Sequence, residues 1–126
     1  MTWIAAVVLG GGVGNRFGAS TPKQLLTLGG RTLVEHCVAA FGRAPGVDEV
    51  LLVMPSGYAA EAAKLVGDQV SAVIAGGVTR SDSVRNALAH LTARHPAETT
   101  GVLLHDAARP LAVSYTHLTL PTILLV

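Results

Sequence analysis

Three groups of residues in this chain have the types and spacing for phosphate chemistry. The first, Gly10-Gly11-Gly12-Val13-Gly14-Asn15-Arg16, directly follows an apolar run. Without side chains the backbone there can curl and aim several N–H groups into one concavity, a nest that holds phosphate oxygens. Lys23 comes seven residues after Arg16, behind Pro22, whose locked φ stiffens the loop where the lysine projects. Two cations beside such a nest suit a nucleoside triphosphate. Attack on its α-phosphorus builds negative charge on the equatorial oxygens as pyrophosphate departs, and preorganised cations and N–H groups stabilise that charge. The reading is nucleotidyl transfer, with Arg16 and Lys23 as catalytic cations and Gly10, Gly11, Gly12 and Gly14 as nucleotide-binding backbone. Either cation alone would be an ordinary solvated loop residue; the glycines and Pro22 around them make the difference. The loop is neither a Walker loop, which ends Gly-Lys-Ser/Thr, nor a dinucleotide fingerprint, because Asn15 and Phe17 stand where the third glycine would fall.

The second group is His105-Asp106-Ala107-Ala108-Arg109-Pro110. Asp106 follows an apolar run and is the metal candidate, since Mg²⁺ there would bridge a carboxylate to phosphate oxygens. A turn or helix cap is the plainer role for the same aspartate. His105 reads as a packed residue rather than a base, because a phosphate nucleophile needs no deprotonation near neutral pH. Arg109 faces either a substrate phosphate or Asp106 itself. In the third group, Gly76-Gly77-Val78-Thr79-Arg80-Ser81-Asp82-Ser83, glycines lead into a helix start. Gly77 and Ser83 are candidates for reading a base edge with free N–H donors and a hydroxyl, alongside simple capping by Thr79, Ser81 or Asp82.

The elements that must position these groups are legible in the hydrophobic pattern. Continuous apolar runs at residues 3–9, 50–54, 70–75 and 102–104 read as strands buried on both faces. Between them, Leu33, Val34, Cys37, Val38 and Phe41 share one helical face behind a Thr32/Glu35 capping box. A second helix is expected over 59–66. A third, carrying Val84, Ala87, Leu88 and Leu91, is expected to start near Ser81 and Asp82 and fade around Arg94. The order β-α-β-α-β-α-β predicts an α/β, Rossmann-like fold of nucleotidyltransferase type: a mostly parallel sheet, right-handed crossovers and helices on both faces. Ligands in such sheets bind beyond the carboxyl ends of the strands, where all three groups fall.

With 126 residues, 50% of them hydrophobic and 13% charged, the chain has material for one core and is not a disordered polymer. A formal net charge of +1 provides no field for nucleic acid or anionic lipid. The lone Cys37 forms no internal disulfide and reads as core. No signal peptide is evident, and nothing before residue 111 approaches the ~20 apolar residues of a membrane span, so a cytoplasmic protein is expected. Residues 111–126 contain no charged residue against seventeen in the preceding 110. They are expected to be a non-native tail behind a domain of residues 1–110, with an edge strand as the other reading.

Together, Gly10-Gly11-Gly12-x-Gly14-x-Arg16 with Pro22-Lys23-Gln24, Gly76-Gly77-x-x-Arg80-x-x-Ser83, and the stretch from His105 to Pro110 resemble the 2-C-methyl-D-erythritol 4-phosphate cytidylyltransferases over residues 3 to about 111. The resemblance implies an enzyme transferring CMP from CTP to a sugar-alcohol phosphate with Mg²⁺ as the divalent cation, releasing pyrophosphate. By position it puts Arg16 and Lys23 at the transition state and Asp106 at the metal. Gly10, Gly11, Gly77, Ser83 and Ala107 fall where the family contacts cytosine and ribose. The entry Leu9-Gly10-Gly11-Gly12 is closer to the ribitol 5-phosphate cytidylyltransferases, whereas Ser83 and Ala108 favour the methylerythritol enzymes. The family is homodimeric and nearly twice as long, with the acceptor pocket and dimer arm in its second half. A truncated chain with weak CTP binding and little turnover is therefore expected, and an inactive nucleotide-binding fragment is the reading from another class. A dinucleotide-dependent dehydrogenase is disfavoured by Phe17 and Met54, which stand where a glycine and an acidic residue would be required.

Overall fold

A computed structural model of the chain describes residues 3–10, 25, 27–94, 100–106 and 123–125. The expected parallel sheet is present. Its strands are β1 (Trp3–Leu9), β4 (Glu49–Met54), β5 (Ala72–Ala75) and β6 (Thr100–Asp106), with a further strand β7 (Ile123–Leu125), in the spatial order β5-β4-β1-β6-β7. All pairings are parallel except β6 with β7. Three helices connect the parallel strands: α1 (Leu33–Gly42), α2 (Ala59–Val66) and α3 (Arg80–Arg94).

The strand order explains which face each helix takes. From β1 through β4 to β5 the chain steps outward in one direction, and right-handed crossovers put α1 and α2 on the same face. From β5 it returns past β4 and β1 to β6, and the same handedness then sends α3 to the opposite face. The period-2 alternation of the strands serves both layers. Ala6, Val8, Val50, Leu52, Met54 and Leu103 pack with Val34, Cys37, Val38, Phe41, Ala62 and Val66. The intervening residues Ala5, Val7, Leu9, Leu51, Val53 and Val102 pack with Ala87 and Leu91 of α3. A strand buried on both sides cannot alternate with polar residues, which is why these segments are continuously apolar.

Local signals held where they were strong. The Thr32 hydroxyl accepts from the Glu35 N–H at 3.1 Å, and the Glu35 carboxylate accepts from the Thr32 N–H at 3.0 Å, completing the capping box of α1. The helix expected over 59–66 spans those residues. α3 starts at Arg80, one residue before the expected Ser81. β5 is shorter than its apolar run, although Ser71 already donates to the Val50 carbonyl.

Two further elements complete the described structure, the first unanticipated and the second the edge strand kept as the other reading of the last residues. A hairpin of β2 (Thr27–Leu28) and β3 (Arg31–Thr32) turns at Gly29 and Gly30, whose φ values of 64° and 84° suit a two-residue turn that side chains disfavour. It is tied to α1 by His36, whose Nε2 donates to the Leu28 carbonyl at 2.6 Å. The other element is β7, within the segment that the sequence reading left out of the fold. Its backbone pairs antiparallel with Gly101–Leu103. Such a ladder uses main-chain groups and does not depend on the origin of the segment.

At the amino edge of the sheet the Glu49 carboxylate is buried beneath three donors: the Trp3 indole N–H at 2.6 Å, the Ser71 hydroxyl at 2.6 Å and the Arg94 guanidinium at 2.6 Å. It joins the starts of β1, β4 and β5 to the end of α3. Glu49→Ala leaves these donors without their acceptor and is expected to cost about 2–4 kcal/mol in urea unfolding, with Glu49→Gln intermediate.

Burial among α1 and the sheet pushes the Cys37 thiol up to about 12 from its ordinary 9.0. The folded state thus holds its proton where the unfolded chain releases it. Its contribution to stability is complete below pH 9.0 and is lost as pH rises toward about 12. Within that window, stability is expected to fall by about 1.4 kcal/mol per pH unit more steeply for the native chain than for Cys37→Ala, read from urea midpoints at successive pH values.

Candidate active site

The register of the sheet aligns the functional loops. Leu9, the last residue of β1, pairs with Val53 of β4 on one side and with Asp106 of β6 on the other, while Met54 pairs with Ala75. Gly10, Gly76 and Asp106 therefore leave the sheet at one edge. Gly10 is anchored through its N–H to the Val53 carbonyl at 2.7 Å, and Gly76 likewise to the Met54 carbonyl at 2.7 Å. Strand order reverses at β1, so the loop beginning at Gly10 leaves from the switch point of the sheet, where the diverging crossovers open a crevice.

Alternation along β6 sorts its terminal residues. Leu103 belongs to the α1 face, and two residues on, the His105 ring packs edge-on against Phe41 with centroids 5.3 Å apart. His105 is thus the packed residue that its position suggested. Val102 and Leu104 belong to the α3 face. Asp106 continues that series and meets α3: its Oδ1 lies 3.3 Å from Nε of Arg80. Arg80 is a partner of Asp106 that spacing along the chain does not reveal, unlike the neighbouring Arg109. The alternation, with Arg80 at the start of the helix that must cover that face, was the signal available.

The loop after β5 carries Gly77 and Ser83, the candidates for the base edge. They bond each other: the Gly77 N–H donates to Ser83 Oγ at 3.1 Å. Ser83 is buried. Thr79 caps α3, its hydroxyl accepting from the Asp82 N–H at 3.1 Å and its N–H donating to the Asp82 carboxylate at 3.3 Å. The reason is the open first turn of a helix, whose donors take the nearest side-chain oxygens. A Cβ built on Gly77 would stand 2.2 Å from the Asp82 Cβ, so a glycine is needed for the loop to cross the helix start. Asn86 adds a tether from the second turn of α3 to the Ala75 carbonyl at 3.3 Å.

Gly11, Gly12, Gly14, Arg16, Lys23, Ala107 and Arg109 lie outside the described residues. Among the described residues no group of three or more His, Cys, Asp or Glu side chains could hold a metal. Asp106, paired with Arg80, is about one-third exposed at the strand end. A single carboxylate fits Mg²⁺ or Mn²⁺ when substrate phosphates complete the shell, the usual arrangement for these ions on nucleotides. Among the described residues no helix is long and apolar enough to cross a membrane.

Comparison with known proteins agrees with this geometry. The family model for 2-C-methyl-D-erythritol 4-phosphate cytidylyltransferase matches residues 4–120. The chain is 49% identical over 113 residues to the enzyme of that name from Thermobifida fusca, covering 86% of this chain and 44% of the relative. With the one from Neisseria meningitidis serogroup C it shares 41% over 106 residues, covering 82% and 46%. The chain thus spans about half the length of the curated relatives it matches. Among solved structures it is similar to a 4-diphosphocytidyl-2C-methyl-D-erythritol synthase, with a TM-score of 0.66 and 29% identity over 86% of this chain and 47% of that one. A Mycobacterium tuberculosis H37Rv protein solved in complex with manganese matches with a TM-score of 0.59 and 28% identity, covering 87% and 53%.

Ser83→Ala leaves the Gly77 N–H without its acceptor and is expected to destabilise the fold by about 1–2 kcal/mol, whereas Gly77→Ala, which displaces the start of α3, costs at least as much. Thermal unfolding of the two variants checks this; a Ser83→Ala protein as stable as the parent would show that the bond contributes nothing.

Proposed function

Because the chain belongs to the 2-C-methyl-D-erythritol 4-phosphate cytidylyltransferase family, we propose that it carries the nucleotide end of CMP transfer from CTP to 2-C-methyl-D-erythritol 4-phosphate. In this reaction a phosphate oxygen of the acceptor attacks the α-phosphorus of CTP. The bond to the β-phosphate breaks, and pyrophosphate leaves. The observation that carries the reading is the convergence of the Gly10, Gly76 and Asp106 strand ends on one edge, at the switch point where the glycine loop begins.

Gly10, Gly11, Gly12 and Gly14 would receive the phosphates on backbone N–H groups, and Arg16 and Lys23 would neutralise charge developing on the α-phosphate. Gly77, Ser83 and Ala107 would border the cytidine. In this role Ser83 acts by holding the Gly77 backbone in place, given their mutual hydrogen bond. Arg109 would face the acceptor phosphate. Asp106 would hold a divalent cation, Mg²⁺ by preference, which when bound supplies positive charge to the triphosphate. A relative's solution in complex with manganese supports divalent-cation use. A cytoplasmic setting, with its supply of nucleoside triphosphates, belongs to the same proposal.

Calorimetric titration with CTP and Mg²⁺ tests the nucleotide reading. CTP is expected to bind at least tenfold more tightly than ATP or GTP. Arg16→Ala or Lys23→Ala is expected to weaken CTP by about 10- to 100-fold, the worth of one charge-assisted hydrogen bond. Equal affinity for all nucleotides would overturn the cytidylyl assignment. Pyrophosphate release with methylerythritol phosphate in place of ribitol 5-phosphate identifies the acceptor.

A further inference from the structure

We infer that Asn86 is a positioning residue for nucleotide recognition: its amide pins the end of β5 to α3, so that the loop starting at Gly76 meets the base in one fixed orientation. The inference rests on the reading in which Gly77 borders the cytidine, and concerns a residue to which that reading assigns nothing.

Side-chain packing does not hold this loop. Ala75 is exposed, Gly76 and Gly77 have no side chain, and Val78 is 97% exposed. Among the described residues β5 is also the outermost strand on its side of the sheet, paired with β4 alone. The end of so short an edge strand frays unless other groups take up its backbone. Hydrogen bonds therefore decide where the loop lies. The Gly76 N–H donates to the Met54 carbonyl at 2.7 Å, the Gly77 N–H to Ser83 Oγ at 3.1 Å, and the Asn86 side-chain amide to the Ala75 carbonyl at 3.3 Å.

The last two bonds involve α3, and their spacing matters. Ser83 and Asn86 stand three residues apart on the helix, hence one above the other on the same face, and they grip loop residues two apart. One bond leaves a pivot; two fix a direction. Without Asn86, the end of β5 can turn about the Gly77–Ser83 bond, and the Gly77 backbone changes its aim across the crevice. Hydrogen bonds to a base edge weaken steeply with angle, so such a turn costs base recognition first. The phosphate loop after β1 is spared, because its first residue, Gly10, is anchored to the Val53 carbonyl and not to α3.

Calorimetry of the full chain with CTP, ATP and inorganic pyrophosphate, each with Mg²⁺, tests the role. Asn86→Ala and the near-isosteric Asn86→Leu both remove the donor, and both introduce a better helix former than asparagine, so α3 itself is not weakened. Each variant is expected to weaken CTP about three- to tenfold, the worth of one neutral hydrogen bond, and to narrow the preference for CTP over ATP by a similar factor. Pyrophosphate, which has no base, is expected to keep its native affinity. Parallel weakening of CTP and pyrophosphate reveals a general structural role and overturns the inference, as does an unchanged preference for CTP. Both outcomes leave the cytidylyl reading standing. A native chain that does not prefer CTP removes that reading and the inference with it.

Discussion

The rest of the molecule depends on the pairing of β1 with two parallel neighbours at once. Because β1 hydrogen-bonds to β4 on one side and β6 on the other, three strand ends are held in a single register, and Leu9 stands level with both Val53 and Asp106. Parallel ladders are slanted and buried, so a slip of one residue would move every side chain of β1 to the wrong face. The two cores forbid this: Ala5, Val7 and Leu9 are committed to α3, and Ala6 and Val8 to α1 and α2. Packing on both faces therefore sets the register, and the register sets the site.

The two ends of the sheet have different duties. The amino edge is closed by Glu49, whose carboxylate joins residues far apart in the chain: Trp3, Ser71 and Arg94. That edge fixes where α3 finishes. The carboxyl edge carries instead glycines, an exposed ion pair and the start of the same helix. A helix clamped at its far end and capped at its near end presents Arg80 to Asp106 with little backbone freedom, which leaves adjustment to the side chains.

Capping and ligand binding draw on the same open donors at the start of α3. Thr79, Asp82 and Ser83 satisfy much of that demand internally. These bonds hold the loop against the helix start without a ligand. Preorganisation of this kind lowers the ordering cost of binding.

The sequence by itself determined what depends on neighbours along the chain. Continuous apolar runs marked the strands, the 3.6-residue spacing marked α1 and α3, and Thr32 with Glu35 marked a helix start, because each is a local balance of burial and capping. The alternation of βs and αs then implied the parallel sheet, and the glycine loop after β1 implied phosphate chemistry. Gly29-Gly30 was equally local and was overlooked, being a two-residue turn hidden beside a longer glycine loop. What tertiary structure alone decided is contact between elements far apart in the chain: Arg80 with Asp106, Trp3 and Arg94 with Glu49, Phe41 with His105. These depend on which face a strand residue takes and on where a helix crosses the sheet. Both follow from register and crossover handedness, which exist only once the strands have paired.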